Sequence, residues 1–120
     1  MFVIIAGGRD FNDYKLLKEK CDHFLKNQNP RNTVIVSGRA KGADSLGERY
    51  ACERNIKLRG MPADWDTYGK SAGFRRNEEM AKVADALIAF WDGKSHGTKH
   101  MIDTMKKLGK PVRIVTYERS

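Results

Sequence analysis

The feature that most constrains how this chain folds is a repeated change of hydrophobic period. Phe2-Val-Ile-Ile-Ala6 is an uninterrupted apolar run that ends at glycine, and Leu17, Cys21, Phe24 and Leu25 then recur at helical spacing. Val34-Ile-Val36 is a second short run, followed by Ala43, Leu46, Tyr50 and Ala51 at helical spacing. A third strand is expected from Ile56 to Met61, ended by Pro62, and a helix from about Gly73 to Ala84. The strand Ala86 to Trp91, a helix carrying Met101, Ile102, Met105 and Leu108, and the strand Val112 to Tyr117 complete the order. Runs apolar at every position belong to strands covered on both faces, and strands alternating with helices imply a parallel sheet between helical layers.

The expected architecture is therefore α/β: a three-layer Rossmann-like domain whose five-stranded parallel sheet runs in the order 3-2-1-4-5. At 120 residues, 40% hydrophobic and 32% charged, the composition fits one packed domain over 1–120 and argues against disorder. No apolar run approaches the roughly 18 to 20 residues that span a bilayer, and the first lacks the basic flank of a signal peptide. The expectation is a cytoplasmic protein with no membrane partner. Cys21 and Cys52 lie far apart on helical patterns, with no CxxC and no histidines at zinc spacing, so both read as small structural hydrophobes. No metal site and no cofactor is expected.

Ligands of open α/β sheets bind beyond the carboxyl ends of the strands, where strand order reverses. The glycines cluster there: Gly7-Gly8-Arg9 after strand one, Ser37-Gly38-Arg39-Ala40-Lys41-Gly42-Ala43-Asp44 after strand two, and Asp92-Gly93-Lys94-Ser95-His96-Gly97-Thr98 after strand four. Glycine admits close approach, and the helix that follows offers unpaired N–H groups to an anion. A single such loop is often only a turn; three, with Arg9, Arg39, Lys41, Lys94 and Arg75-Arg76 nearby, make a phosphate cradle. The formal net charge of +8, of which +5 falls between Lys94 and Ser120, also favours anionic partners. Lys106, Lys107 and Lys110 can equally complement a helix dipole.

Common nucleotide fingerprints are missing. No GxGxxG follows strand one, and neither Gly69-Lys70-Ser71 nor Gly93-Lys94-Ser95 has the first glycine of a P-loop. Gly93-Lys94-Ser95-His96-Gly97 matches GxSxG, but the histidines after Ser95 are its neighbour His96 and His100 on the next helix, so the acid and base of a hydrolase triad are not supplied. The segment Pro62 to Ala72 carries Trp65 and Tyr68, either to stack on a nucleobase or to pin the loop to the body of the domain.

Four motifs in order, Gly7-Gly8-Arg9-Asp10-Phe11, Ser37 to Asp44, Ala72-Gly73-Phe74-Arg75-Arg76-Asn77 with Met80, and Asp92-Gly93 leading to Ser95 and Gly97-Thr98, resemble the YspA-related branch of the SLOG superfamily. That superfamily shares its Rossmann-like fold with the DprA and LOG proteins. The resemblance implies a five-stranded parallel sheet, a pocket for nucleotides or nucleotide-derived ligands, homo-oligomers, and links to phage, mobile elements and stress signalling.

LOG enzymes hydrolyse the N-glycosidic bond of nucleoside 5′-monophosphates with the arginine of RKxxM and the glutamate of PGGxGTxxE. Here Arg76-Asn77-Glu78-Glu79-Met80 keeps the arginine and methionine, while Met101 stands at the glutamate position. A thioether handles no proton, so the hydrolysis is not implied by the motifs.

The leading reading is a nucleotide-binding domain that holds its ligand by the phosphate. Gly7, Gly8, Gly38, Gly42 and Gly97, with neighbouring N–H groups such as that of Ala43, cradle the anion, and Ser37, Ser95 and Thr98 donate hydroxyls. Arg9, Arg39 and Arg76 supply charge, Asp44 takes a ribose diol or caps its helix, and Asn77 and Asp92 complete the set. One alternative is an N-glycosidase using Arg76 with Asp44, Asp92 or Asp103 in place of the missing glutamate. The other, suggested by charge and by DprA, is a nucleic-acid binder.

Overall fold

The computed structural model describes residues 1–118. Strands β1 (Phe2–Gly7), β2 (Val34–Ser37), β3 (Lys57–Gly60), β4 (Ala86–Trp91) and β5 (Val112–Thr116) form one all-parallel sheet in the order β3-β2-β1-β4-β5. Between them run α1 (Tyr14–Phe24), α2 (Ala43–Glu53), the single turn α3 (Trp65–Tyr68), α4 (Ala72–Val83) and α5 (His96–Lys107). The α/β reading, the parallel sheet and its strand order are as expected from the sequence.

Alternate residues of the central strands feed two cores. Val3, Ile5, Ile35, Ile88 and Phe90 meet Leu17 and Cys21 of α1 and Ala43, Tyr50 and Ala51 of α2. Ile4, Val36, Leu87 and Ala89 meet Met80 and Ala81 of α4 and Met101, Ile102 and Met105 of α5. A parallel strand must be covered on both faces, and the continuous apolar runs of β1 and β4 follow from that requirement.

The edges differ from expectation. β3 is shorter than Ile56 to Met61, and all four of its residues are exposed; β5 buries only Val115. An edge strand has one neighbour, and Lys57, Arg59 and Arg113 place charge where open pairing groups invite a second chain. Cys52 is exposed rather than packed among apolar side chains, because it falls on the outer face of α2; Cys21 is buried, and burial pushes its thiol up to about 12. Neither is disulfide-bonded. Lys110 donates to the carbonyls of Ala81 (2.6 Å) and Lys82 (3.2 Å), so it complements the C-terminus of α4 and not that of its own helix. Among the described residues no helix is long and apolar enough to cross a membrane.

Candidate functional site at the strand-order reversal

β1 lies between β2 and β4, so the chain leaves the carboxyl end of β1 toward one side of the sheet and that of β4 toward the other. The loops after β1, β2 and β4 surround an open cavity of about 440 Å³, whose wall is completed by Trp65 and Lys70 of the 62–72 segment and by one face of α4. That volume suits a small metabolite.

The loops are tied mainly to one another. The Gly8 carbonyl accepts from Phe11 N–H (3.2 Å) and from Ala43 N–H (3.1 Å), joining the first loop to the start of α2, while Gly8 N–H donates to Phe90 (3.1 Å). Gly42 takes φ +75°, and a Cβ there would stand 2.6 Å from the Arg9 carbonyl carbon, so only glycine fits. Arg39 N–H donates to Ser37 Oγ (3.1 Å), and Ala40 N–H to Asp44 Oδ2 (3.2 Å). Asp92 Oδ1 accepts from both Lys94 and Ser95 N–H (2.8 Å each), shaping the turn into α5.

Of the sequence-derived residues, Gly7, Gly8, Arg9, Gly38, Asp44, Arg76, Asn77, Asp92, Ser95, Gly97 and Thr98 line the cavity. Ser37, Arg39, Gly42 and Ala43 do not. Ser37 Oγ donates to Glu48 (2.7 Å), and Arg39, at φ 63°, pairs with the same Glu48 (3.0 Å) on the outer side of α2. Gly42 and Ala43 are used in packing the first two loops together. Among the other wall residues, Asp10, Lys70, Phe74 and Met101 are not assigned to the site by the sequence, nor is Trp65 beyond its two readings. Gly73, Arg76, Asn77 and Met80 recur at i, i+3, i+4 and i+7 along α4, a stripe that was readable once the helix was known to face the loops.

At the centre of the site Arg76 and Asp44 flank Gly38. Arg76 Nη1 donates to the Gly38 carbonyl at 2.5 Å, and Nε donates to Asn77 Oδ1 at 3.0 Å. Asn77 Nδ2 in turn donates to the Gly97 carbonyl and stands 3.3 Å from His100 Nδ1, so the amide orients the guanidinium from behind. A Cβ on Gly38 would lie 2.7 Å from Arg76 Nη1 and 2.9 Å from Asp44 Oδ2; the absent side chain makes room for both groups.

Burial shifts both groups toward neutrality. Desolvation lowers Arg76 from the ordinary guanidinium value, against the pull of Asp44. Asp44 is only 6% exposed, and burial raises its carboxyl to about 6 even though Ala40 N–H, Arg76 and Arg9 favour the charged form. The walls thus offer an oxyanion a partly desolvated guanidinium, Arg9 and the first turn of α5, and offer a proton or a diol the Asp44 carboxyl.

Met101, which stands at the glutamate position of the LOG motif, is 1% exposed and lines the cavity. Asp103 is outside the cavity, exposed and paired with Lys99 at 2.7 Å; the carboxylates of the wall are Asp10, Asp44 and Asp92. Among the described residues no three or more His, Cys, Asp or Glu side chains are grouped to hold a metal ion.

Fold and cavity together define a doubly wound α/β domain with a charged cleft at its topological switch point. The chain belongs to the YspA, cpYpsA-related SLOG family, whose model matches residues 1–68. The Gene 61 protein of Mycobacterium phage D29 is 35% identical to it over 116 residues, 92% of each chain.

Solved structures share the fold. DNA processing protein A (DprA) of Streptococcus pneumoniae superposes with a TM-score of 0.71 at 17% identity over 98% of this chain, which spans 50% of that protein. DprA of Helicobacter pylori, described for a single-stranded DNA binding mode, gives 0.65 at 20% identity, covering 98% of this chain and 66% of its own. The structural-genomics protein TM1055 gives 0.64 at 18%, covering 92% of this chain and 71% of its own.

Proposed function

We propose that the chain acts as a single ligand-binding domain that takes a nucleotide or nucleotide-derived small molecule into this cavity by its phosphate, as a sensor or ligand-processing domain in phage-linked biology. The observation that carries the reading is Arg76: a half-buried guanidinium, oriented by Gly38 and Asn77, lining a cavity beside the N-terminus of a three-turn helix. Desolvating an arginine is costly unless a bound anion returns the lost solvation, and an arginine fork matches phosphate oxygens. Asp44, across Gly38, accepts the hydrogens of a ribose diol. Family membership supports the substrate class, and the phage relative supports the biological setting.

The test is a thermal-shift and calorimetric titration with nucleoside mono- and diphosphates, cyclic nucleotides and ADP-ribose compounds, run on the wild type and on Arg76→Ala. A ligand at 100 times its Kd stabilises the wild type by roughly 2.7 kcal/mol, and Arg76→Ala removes the shift. Release of free base from a bound nucleotide would make the domain an N-glycosidase, with Asp44 as the first carboxylate to substitute. If no nucleotide stabilises the fold while short single-stranded DNA binds with an affinity that falls steeply with salt, the protein is a nucleic-acid binder and the phosphate pocket is refuted.

A further inference from the structure

The mouth of the cavity carries two large aromatic side chains that the fold does not bury. Trp65, on α3, is 51% exposed, and Phe74, in the first turn of α4, is 46% exposed; both line the cavity. Tyr68, on the same helical turn, is occupied differently, with the Arg75 guanidinium 4.5 Å above its ring and Arg75 Nε bonded to Ser71 Oγ at 3.1 Å. Asp64 caps α3 by accepting from Thr67 N–H at 3.1 Å, which fixes the helical turn that presents Trp65. Phe74 is backed by the His100 ring at 4.4 Å and a 31° tilt, so it too is held in place rather than free.

Gly73 stands beside Phe74 in the chain, and the Trp65 ring lies against it. Gly73 lines the cavity, and the one atom near a Cβ placed there is Trp65 Cη2 at 3.4 Å, an ordinary contact. Gly73 has a helical backbone, so no turn or close approach within the protein requires glycine; α4 would accept alanine. Arg76 follows three residues later on the same stripe, about 4.5 Å along the helix axis.

We propose that Trp65, resting against Gly73, and Phe74 beside it on α4 form an aromatic slot for the nucleobase, so that the cavity selects base-bearing nucleotides over the corresponding sugar phosphate. The inference rests on the phosphate reading above and adds the specificity end of the same site. Stacking on preplaced rings is open to any base and costs the protein little ordering entropy.

The experiment compares AMP with ribose 5-phosphate by calorimetry on wild type, Trp65→Ala, Phe74→Ala and Arg76→Ala. The slot predicts that wild type binds AMP about tenfold or more tightly than ribose 5-phosphate. Trp65→Ala and Phe74→Ala each erase most of that preference while leaving ribose 5-phosphate affinity within about twofold. Arg76→Ala weakens both ligands. Trp65→Ala is the decisive variant: Trp65 packs in neither core, and unchanged ribose 5-phosphate binding by the same variant shows that its loss of AMP affinity does not come from unfolding.

Equal binding of the two ligands by wild type, or equal weakening of both by Trp65→Ala, overturns the slot and leaves the phosphate site standing. Absence of binding by either ligand overturns the phosphate reading itself, and the slot with it.

Discussion

Replacing Asp44 by asparagine should make the protein more stable at neutral pH. The carboxyl is buried against Gly38 and Arg76, and its value is raised from 3.8 to about 6. At 1.36 kcal/mol per unit, holding the charged form in the folded state costs about 3 kcal/mol at pH 8. The sign follows from proton counting. Between roughly pH 4 and pH 6 the folded chain binds more protons at this group than the unfolded chain, so stability falls as pH rises. The penalty is absent below the unfolded value, accumulates through that window, and is complete above it.

Asparagine keeps the shape and an oxygen for Ala40 N–H but is never charged. Asp44→Asn should therefore gain about 1–3 kcal/mol at pH 8, the lower end allowing for the amide's own burial, and close to nothing at pH 4. Urea titrations of both proteins at pH 4, 6 and 8 measure it. Taking the difference between them cancels the three histidines and every other titrating group. A variant less stable than wild type at pH 8, or a difference that stays constant from pH 4 to pH 8, refutes the account of Asp44 as a desolvated carboxyl. A positive result also bears on function, since a group that weakens the fold is retained for what it does in the cavity.

Other outcomes follow from single positions. Gly42→Ala should lose at least about 2 kcal/mol in urea, because φ +75° strains any L side chain and the new methyl meets the Arg9 carbonyl. Gly69→Ala, at φ +55° with nothing within 4 Å, isolates the strain alone and should lose less. A thiol reagent should label one cysteine per native chain, Cys52, with Cys21 reacting only after denaturation. Asp22→Ala should cost about 1–3 kcal/mol by thermal or urea unfolding, since it strips the partner from the buried Tyr50 hydroxyl (2.7 Å) and from Arg54 (2.7 Å) together.

The layered fold was legible because β1 and β4, the inner strands of greatest length, are buried on both faces and so apolar at nearly every position. The edge strands were placed by chain order more than by composition. Lys57-Leu-Arg-Gly60 carries no buried residue, and its boundaries were accordingly overdrawn. The site was legible to the extent that it depends on chain order, since glycine-rich loops at the reversal of strand order must converge. Which loop residues face the cavity was not legible, because that depends on which partners the backbone finds first. Ser37 and Arg39 turn to Glu48, eleven and nine residues away, and no local pattern announces the pairing. Trp65 and Phe74 belong to separate elements, and only the packing of the 62–72 segment beside α4 brings both to one cavity.

The loops also invert the expected division of labour between backbone and side chain. A phosphate loop of the common kind leaves consecutive N–H groups open to the anion. Here the N–H groups of Gly8, Arg39, Ala40, Ala43, Lys94 and Ser95 are already donated to Phe90, Ser37, Asp44, Gly8 and Asp92. Facing the cavity are the first turn of α5 and the side chains of Arg9, Lys70 and Arg76. The glycines therefore act less as donors than as omissions: Gly38 has no side chain in the space that Arg76 and Asp44 flank, and Gly42 none where the first loop crosses the second. Such a site gains its charge from a guanidinium bridging two acceptors, Gly38 O and Asn77 Oδ1, a geometry that the compact ammonium of lysine does not reproduce. The proposed phosphate contact therefore rests chiefly on Arg76 and the two groups that aim it, and Met101, which stands at the glutamate position of the LOG motif, is not among them.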